Sequence, residues 1–413
     1  MKKVIISLIA LSLALCAAAF SSCDILDVTD IGDQNYTATV FPAADTTYNK
    51  GATVTVDGTT TYYEALDDAW IAANTNTESK VIFKLYQDWN SQTSYEENGV
   101  SKLSNSRFSN KVGVGVTDTY YLRIETRGEC EVGNSDAKSL TIDLNSHFMQ
   151  ANFPDYNTDF RCFIYTDTKT YDETHCPGDI TIQNGSFNRG NAVTGGGAIK
   201  IEGSKLNLSL RNVWFHSCNT TTNGGGLYIS GDSMDITLLG CSMEYCNADN
   251  CGGGIYLNAL NSKVLFNDDD IQSNTCKVAG PGVYFDYSGS QEGTTTVKMT
   301  GQVEIRSNYV GDDRYTKRGV FIGDDAVGKV KFESFEGLAL CSCIGFEANQ
   351  KNVYLTDKIS DNRSDTLKNY LNACGDLKTV TCKQELQYVE GCNGSGSYEG
   401  TGYCWYIINY QED

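Results

Sequence analysis

A glycine-led motif recurs at a nearly constant interval through the middle of this chain, and it limits the fold more than any other feature. GGGAIKI begins at Gly195, GGGLYI at Gly224, GGGIYL at Gly252 and GPGVYF at Gly280, so successive starts are offset by 29, 28 and 28. A second column, Phe187, Phe215, Met243 and Ile271, steps by 28 each time, and a third holds Leu208, Ile236 and Val264 at the same interval. Three columns in one register mark a repeat array in which each unit stacks on the next.

Within one period the apolar residues alternate in short stretches: LNLSL at 206–210, VWFHS at 213–217 and GLYIS at 226–230. Alternation over so few residues, broken by Gly and Asn, predicts strands and not helices. Three strands per period with a purely translational repeat cannot form hairpins, so a sandwich with coincidental spacing is the weaker alternative. They can form one triangular turn of a parallel β-solenoid, with turns about 4.8 Å apart. The fold class expected is all-β, a right-handed parallel β-helix. The GGG runs suit corners that need positive φ. Asn191, Asn219 and Asn247, spaced by the same period, suit stacked amides at a turn, and Gly190, Cys218, Cys246 and Asn274 stand one place earlier.

This combination resembles the repeats of polymorphic outer-membrane proteins, which pair Gly-Gly-Ala-Ile with Phe-x-x-Asn. GGGAI at 195–199 matches the first motif. Ile271-Gln272-Ser273-Asn274 and Ile305-Arg306-Ser307-Asn308 keep the Asn of the second, and Phe215-His216-Ser217-Cys218 keeps its Phe. The resemblance covers roughly 180–322. It implies a surface adhesin or a passenger domain. Most such proteins end in a translocating barrel, whereas this sequence ends YQED without the long alternating strands of one.

The first residues read as an export signal: Lys2 and Lys3, then VIISLIALSLALCAAAF, then small residues. FSSC at 20–23 resembles a lipobox, with Cys23 as the lipidated residue; Cys16 follows Leu15, too large for the cleavage site. An ordinary signal peptide is the plainer alternative. The domains expected are a lipoprotein signal over 1–22, the lipidated cysteine and an Asp-rich tether over 23–50, the β-helix over 51–360 and a C-terminal cap over 361–413. The chain is thus expected to be held at a membrane through a lipid anchor, in the outer membrane and at the cell surface, without spanning it.

An open solenoid exposes strand edges at both ends and needs covers. TYYEALDDAWIAAN at 61–74 offers one: Thr61 and Glu64 fit a capping box, and Ala65, Leu66, Ala69, Trp70 and Ala73 share one face of a capping helix near 62–73. Early strands are expected at 81–86, 120–125, 140–144 and 179–182, with 87–118 and 146–178 as projecting loops. Later strands fall at 320–322, 329–332 and 352–355. A short helix is expected at 365–374, where Leu367, Tyr370, Leu371 and Cys374 share a face and Gly375 stops it, followed by a strand at 403–410.

Asp and Glu outnumber Lys and Arg by 52 to 32, a net charge of −20 that becomes −22 when removal of 1–22 takes two lysines. Such a surface repels phosphate backbones, so no nucleic acid is expected as a partner. Of 16 cysteines, 14 remain without Cys16 and Cys23, an even number in an exported chain. Cys218 and Cys246 occupy one column of adjacent turns, which makes them a candidate disulfide, with stacked free thiols as the alternative. Cys374, Cys382, Cys392 and Cys404 suit two further bridges. No metal site is expected: no C-x-x-C pair occurs, and Cys341-Ser342-Cys343 has no matching His pair.

Chemistry is harder to find. His147, His175 and His216 lie in unrelated contexts, and no Ser-His-Asp arrangement, phosphate loop or dinucleotide fingerprint stands out, so no cofactor is expected. Asp268, Asp269 and Asp270 form an acidic cluster that could do acid/base work or bind calcium, but they stand at a corner where Asp is favoured as a turn former. The function expected is therefore a non-catalytic, adhesin-like or ligand-binding envelope lipoprotein, with a glycan or a host or neighbour-cell protein as ligand. The alternative is a polysaccharide-degrading enzyme, a glycoside hydrolase or lyase, on the same pectin-lyase-like scaffold, and a structural spacer comes third. Carboxylates gathered in a groove would favour the enzyme, and a flat aromatic strip would favour binding.

Overall fold

The computed structural model describes residues 41–411 except 91–92, 98–99, 105–121, 151–160, 288–291, 312, 334, 340–341, 351–352, 357–370, 374–381 and 393–397. Within these residues the repeat is a stack of parallel strands, each pairing with the strand one period later. Ile180, Leu208, Ile236 and Val264 follow one another in a first ladder. Phe187, Phe215, Met243 and Ile271 do so in a second, and Ile199, Leu227, Ile255 and Val283 in a third. None of these residues is more than 2 % exposed. The sequence columns are the interior of the stack, and the alternation of each strand sends the intervening residues outward.

The stack also has a fourth ladder that the sequence pattern does not announce. Asn191–Ala192, Asn219–Thr220, Asn247–Ala248 and Thr275–Cys276 pair in register. Strands this short cannot show a period. Each turn accordingly bends at four corners through the left-handed region: Asn212, Ser217, Gly224 and Ser233 in one turn, Gly240, Tyr245, Gly252 and Asn261 in the next. Glycine fills one of these corners consistently. At the other corners, Gly240 apart, a side chain accepts a conformation costing about 1–2 kcal/mol, and stacking offsets it. Asn212 Nδ2, for example, donates to Asn184 Oδ1 on the turn before at 3.3 Å.

The stacked amides lie one place before the column expected. Asn274 and Asn308 are fully buried. Asn274 Nδ2 donates to Met243 O at 2.9 Å, and Asn274 Oδ1 accepts from Cys246 N at 2.9 Å. Asn308 Nδ2 donates to Ile271 O at 3.0 Å, while its Oδ1 accepts from Asn274 N at 3.0 Å. Cys218 and Cys246 continue this column downward as free, buried thiols. The disulfide expected between them is not present. Their thiols point at carbonyls of the preceding turn, Phe187 O at 3.5 Å and Phe215 O at 3.8 Å, which are the bonds the Asn amides make higher up.

Asn274→Leu would leave Cys246 N–H buried without a partner and take the side-chain bond from Met243 O, and should lower stability by about 1–3 kcal/mol, whereas Asn274→Cys, which restores a donor, should lose about half that. Equal denaturant midpoints for the two variants would remove the hydrogen-bond explanation.

At the N-terminal end the helix runs over Leu66–Thr75, not 62–73. Thr61 belongs instead to the strand Thr59–Tyr63, opposite Val54 in an antiparallel pair, so no capping box forms and Ala65 precedes the helix without a side-chain bond. A strand ladder satisfies more backbone groups than one cap does, and it wins. The helix buries Leu66, Ala69, Trp70 and Ala73, with Trp70 against Phe83, Trp89 and Phe163. Its Asn74 covers the open edge of Leu122–Ile124, donating to Arg123 O at 2.8 Å and accepting from Glu125 N at 2.9 Å.

The segment 146–178 is more than a projecting loop. Phe148–Gln150 and Phe163–Thr166 supply rungs of the second and third ladders, beneath Phe187 and Ile199 respectively. Of the helix expected at 365–374, Leu371–Ala373 is a strand parallel to 344–346, and the rest lies outside the described residues. Beyond it Cys382–Cys392 and Tyr398–Gln411 form a long antiparallel hairpin in which Cys404 stands opposite Val389, not another cysteine; Cys374 lies outside the described residues.

Candidate functional site

The outer face of the second ladder carries the chemistry. Five strands build it: β1 (Ile180–Asn188), β2 (Asn207–His216), β3 (Ser242–Glu244), β4 (Asp270–Gln272) and β5 (Glu304–Arg306). Because Phe187, Phe215, Met243, Ile271 and Ile305 point inward, the residues on either side of each point outward. They form two rows in register: Ser186, Trp214, Ser242, Asp270 and Glu304, and beside them Asn188, His216, Glu244, Gln272 and Arg306.

These outward side chains are recessed. Ser242 is 1 % exposed, and Asp270 and Glu304 are 6 % exposed each. In the first ladder the outward residues are less covered: Asp235, Lys263 and Lys298 are exposed and Thr237, Leu265 and Thr296 half-buried. The strand Asp313–Arg318, antiparallel to Asn308–Val310, lies against β5 at one end of the face.

Polar atoms here are only partly used. Gln272 Nε2 donates to Asp270 Oδ2 at 2.9 Å. Glu304 has both oxygens engaged, by Gln302 Nε2 at 2.7 Å and by Arg306 Nε at 2.8 Å. Four buried atoms on the face have no intramolecular partner: Asn188 Oδ1, Trp214 Nε1, Ser242 Oγ and Asp270 Oδ1. Three of them stand on consecutive rungs of one row. Burial pushes Asp270 up to about 8; Glu304 and Glu244 add to the shift and Arg306 opposes it. Burial also raises Glu244, against a hydrogen bond from Gln272. His216 is lowered by burial and by the charge of Arg189, which leaves it neutral at physiological pH. Its ring lies edge-on between Trp214, at 5.1 Å, and Tyr245, at 5.5 Å, and Tyr245 is 45 % exposed.

The acidic cluster read from the sequence is divided among three tasks. Asp268 sits at a corner with φ +56° and accepts from Gln302 N at 2.8 Å, as a turn former does. Asp269 is buried and staples the corner, accepting from Cys241 N at 2.7 Å and Asn267 N at 2.9 Å; burial raises it well above the carboxylate range despite these donors. Only Asp270 faces outward into the site. Its neighbours Glu244 and Glu304 come from other turns and were missed, although each lies one residue from the apolar column, which is the signal that would have placed them. Of the histidines, His147 is beside Asp88 at 3.1 Å and His175 beside Asp172 at 2.8 Å, so His216 alone belongs to this face. Cys23 lies outside the described residues.

A flat aromatic strip also exists, on the outside of the third ladder. Tyr228, Tyr256, Tyr284 and Phe321 stack at 5.1, 5.7 and 5.3 Å with interplanar angles of 10°, 2° and 7°. Lys200 Nζ sits 5.5 Å from the Tyr228 centroid at one end. The rings use their faces on one another and turn edges outward, so this strip stabilises the stack and offers a ligand no ring face.

Among the described residues no group of three His, Cys, Asp or Glu side chains is placed to hold a metal ion, and no helix is long and apolar enough to cross a membrane. Compared with protein-family models, with curated proteins and with solved structures, the chain matches none. The likeness to polymorphic outer-membrane proteins therefore rests on the repeats alone.

Proposed function

We propose that this chain is a non-catalytic, adhesin-like ligand-binding lipoprotein of the cell envelope. Its body is a right-handed parallel β-helix, the hand that parallel strand connections take in nearly all sheets. Lipid on Cys23 anchors it in the outer membrane, with the body at the cell surface. The binding assignment rests on one observation: Asn188, Trp214, Ser242 and Asp270 hold buried polar atoms without partners on one recessed face. Buried polar groups are satisfied in folded proteins with few exceptions, and a ligand would satisfy these.

The hydrolytic alternative draws on Asp270, whose raised pKa suits a general acid. Glycoside hydrolysis needs a second working carboxyl group. Glu304 has both oxygens occupied, and Glu244 is hydrogen-bonded to Gln272. Of the two neighbouring carboxyl groups only Glu244 could then serve, and it shares Gln272 with Asp270, which favours binding over turnover.

The test uses soluble protein from Asp24 onward on immobilised polysaccharides and surface proteins. Retention on at least one surface with no new reducing ends is expected. New reducing ends would replace the binding reading with the hydrolytic one, and neither retention nor turnover would leave a spacer. For the anchor, labelled palmitate should enter the wild-type chain and not Cys23→Ser; equal labelling rejects Cys23 as the lipidated residue.

A further inference from the structure

We infer that the recessed face binds an uncharged glycan chain lying along the stack, across the rungs of Trp214, Ser242 and Asp270. This rests on the reading of that face as the ligand site and goes on to name the ligand's chemistry. The unpartnered atoms are an indole N–H, a hydroxyl, a carboxyl oxygen and an amide oxygen. Hydroxyl groups, which both donate and accept, can satisfy all four, whereas a ligand of acceptors or donors alone cannot. The rungs repeat at about 4.8 Å, and an extended peptide rises about 3.4 Å per residue, so a peptide along the axis falls out of step within a few rungs. Trp214, within the polar row, and the exposed Tyr245 lie on either side of His216. Aromatic rings with a polar tip suit a ligand that has both apolar C–H faces and hydroxyl edges.

The charges disfavour the other sugars. Arg306 Nε is paired with Glu304 at 2.8 Å, so its charge is already balanced within the protein. Glu244 stands beside the row on the preceding turn, and the whole chain carries −20. A uronate would meet like charge at the face and at long range. A cationic glycan would find Asp270 protonated at neutral pH and Glu304 already paired with Arg306, with Glu244 alone beside the row to attract it. The groups facing Asp270 are Glu304 and Arg306 from β5, Glu244 from β3 and Gln272 on its own strand. The protonated carboxyl is a donor, and ionisation would turn it into an acceptor only.

Calorimetric titration of the soluble protein with cellohexaose, mannohexaose, polygalacturonate and chitosan oligomers tests this. At about pH 6 a neutral hexasaccharide should bind and polygalacturonate should not. Affinity should fall about tenfold by about pH 10, past the Asp270 titration. Trp214→Ala and Ser242→Ala should each weaken binding by about tenfold, with melting curves confirming that the variants fold, while Asp270→Asn, which cannot ionise, should remove the difference in affinity between the two pH values. Binding of polygalacturonate, or chitosan binding that strengthens as pH rises, would overturn the neutral-glycan inference. So would a lack of binding by either neutral hexasaccharide. If a protein ligand is retained instead and Trp214→Ala abolishes that retention, the site stands and only the glycan assignment fails. If retention of any ligand ignores both variants, the face itself is not the site.

Discussion

Replacing Gly225 by alanine should destabilise the protein by on the order of 3–5 kcal/mol, although it adds a single methyl group. A Cβ on Gly225 would lie 2.2 Å from Gly253 O and 2.7 Å from Asn247 N and C, all backbone atoms of the next turn. Gly197 and Gly253 sit in the same position and meet the same obstacle, at 2.0 Å from Gly225 O and 2.3 Å from Thr275 O. Side chains can swing away from a new methyl, but a neighbouring turn can retreat only by giving up its ladder. The glycine two residues before each of the third-ladder strands that begin at Ile199, Leu227 and Ile255 is therefore required for close approach of the backbone, and the one before it, Gly196, Gly224 or Gly252, for positive φ. Gly58→Ala is the matched control: φ is +85° with nothing within 4 Å of the added carbon, so only the conformational cost of about 1–2 kcal/mol applies. Thermal melts and hydrogen exchange should place the damage in the turns around Gly225, since a stacked array unfolds locally. Equal melting temperatures for the two variants would refute the contact argument.

Stability should fall as pH rises from about 4 toward 9, and Asp270→Asn should remove a large share of that slope. Asp270 is raised from 3.8 to about 8 in the folded protein, by burial first and then by Glu304 and Glu244. Between those values the folded chain holds a proton that the unfolded chain has released. Its contribution is thus fully present below about pH 4 and is lost as pH rises through about 8. At about 1.4 kcal/mol per pKa unit the effect is on the order of a few kcal/mol. Glu244 and Asp269 are raised as well and add to the slope, so the difference between wild type and Asp270→Asn isolates the one group. Asp45, held low by Lys84, acts in the opposite sense, and only at acidic pH. Denaturant midpoints across this range decide the matter: parallel pH profiles for the two proteins would mean that Asp270 ionises freely. The same proton would set the pH limit for binding at the recessed face, so stability and binding should weaken together.

The interior was legible because it is written locally and repeatedly. Phe187, Phe215, Met243 and Ile271 declare one inward column by spacing alone, and the alternation beside each fixes which neighbours face out. Where the interval lengthened, the reading faded. Val264 pairs with Val297 and Ile271 with Ile305, each more than one regular period further on, because insertions at the corners change the count without changing the ladder. Phe148–Gln150 and Phe163–Thr166 escaped notice for the same reason, each being a short piece of rung amid long connections.

The sequence by itself determined the period, the parallel stacking and the division between inside and outside, since burial of one face of each strand depends on alternate positions along it. Only the tertiary structure decided what the outside does. Asp268, Asp269 and Asp270 are adjacent in the chain, yet they become a corner, a staple and a site residue, because backbone direction turns between them. Asp270 finds its electrostatic partners in Glu244 and Glu304, on the turns before and after its own. Whether such outward groups meet water or lie recessed depends on how the turns pack over them, and that information is spread over several turns of the chain.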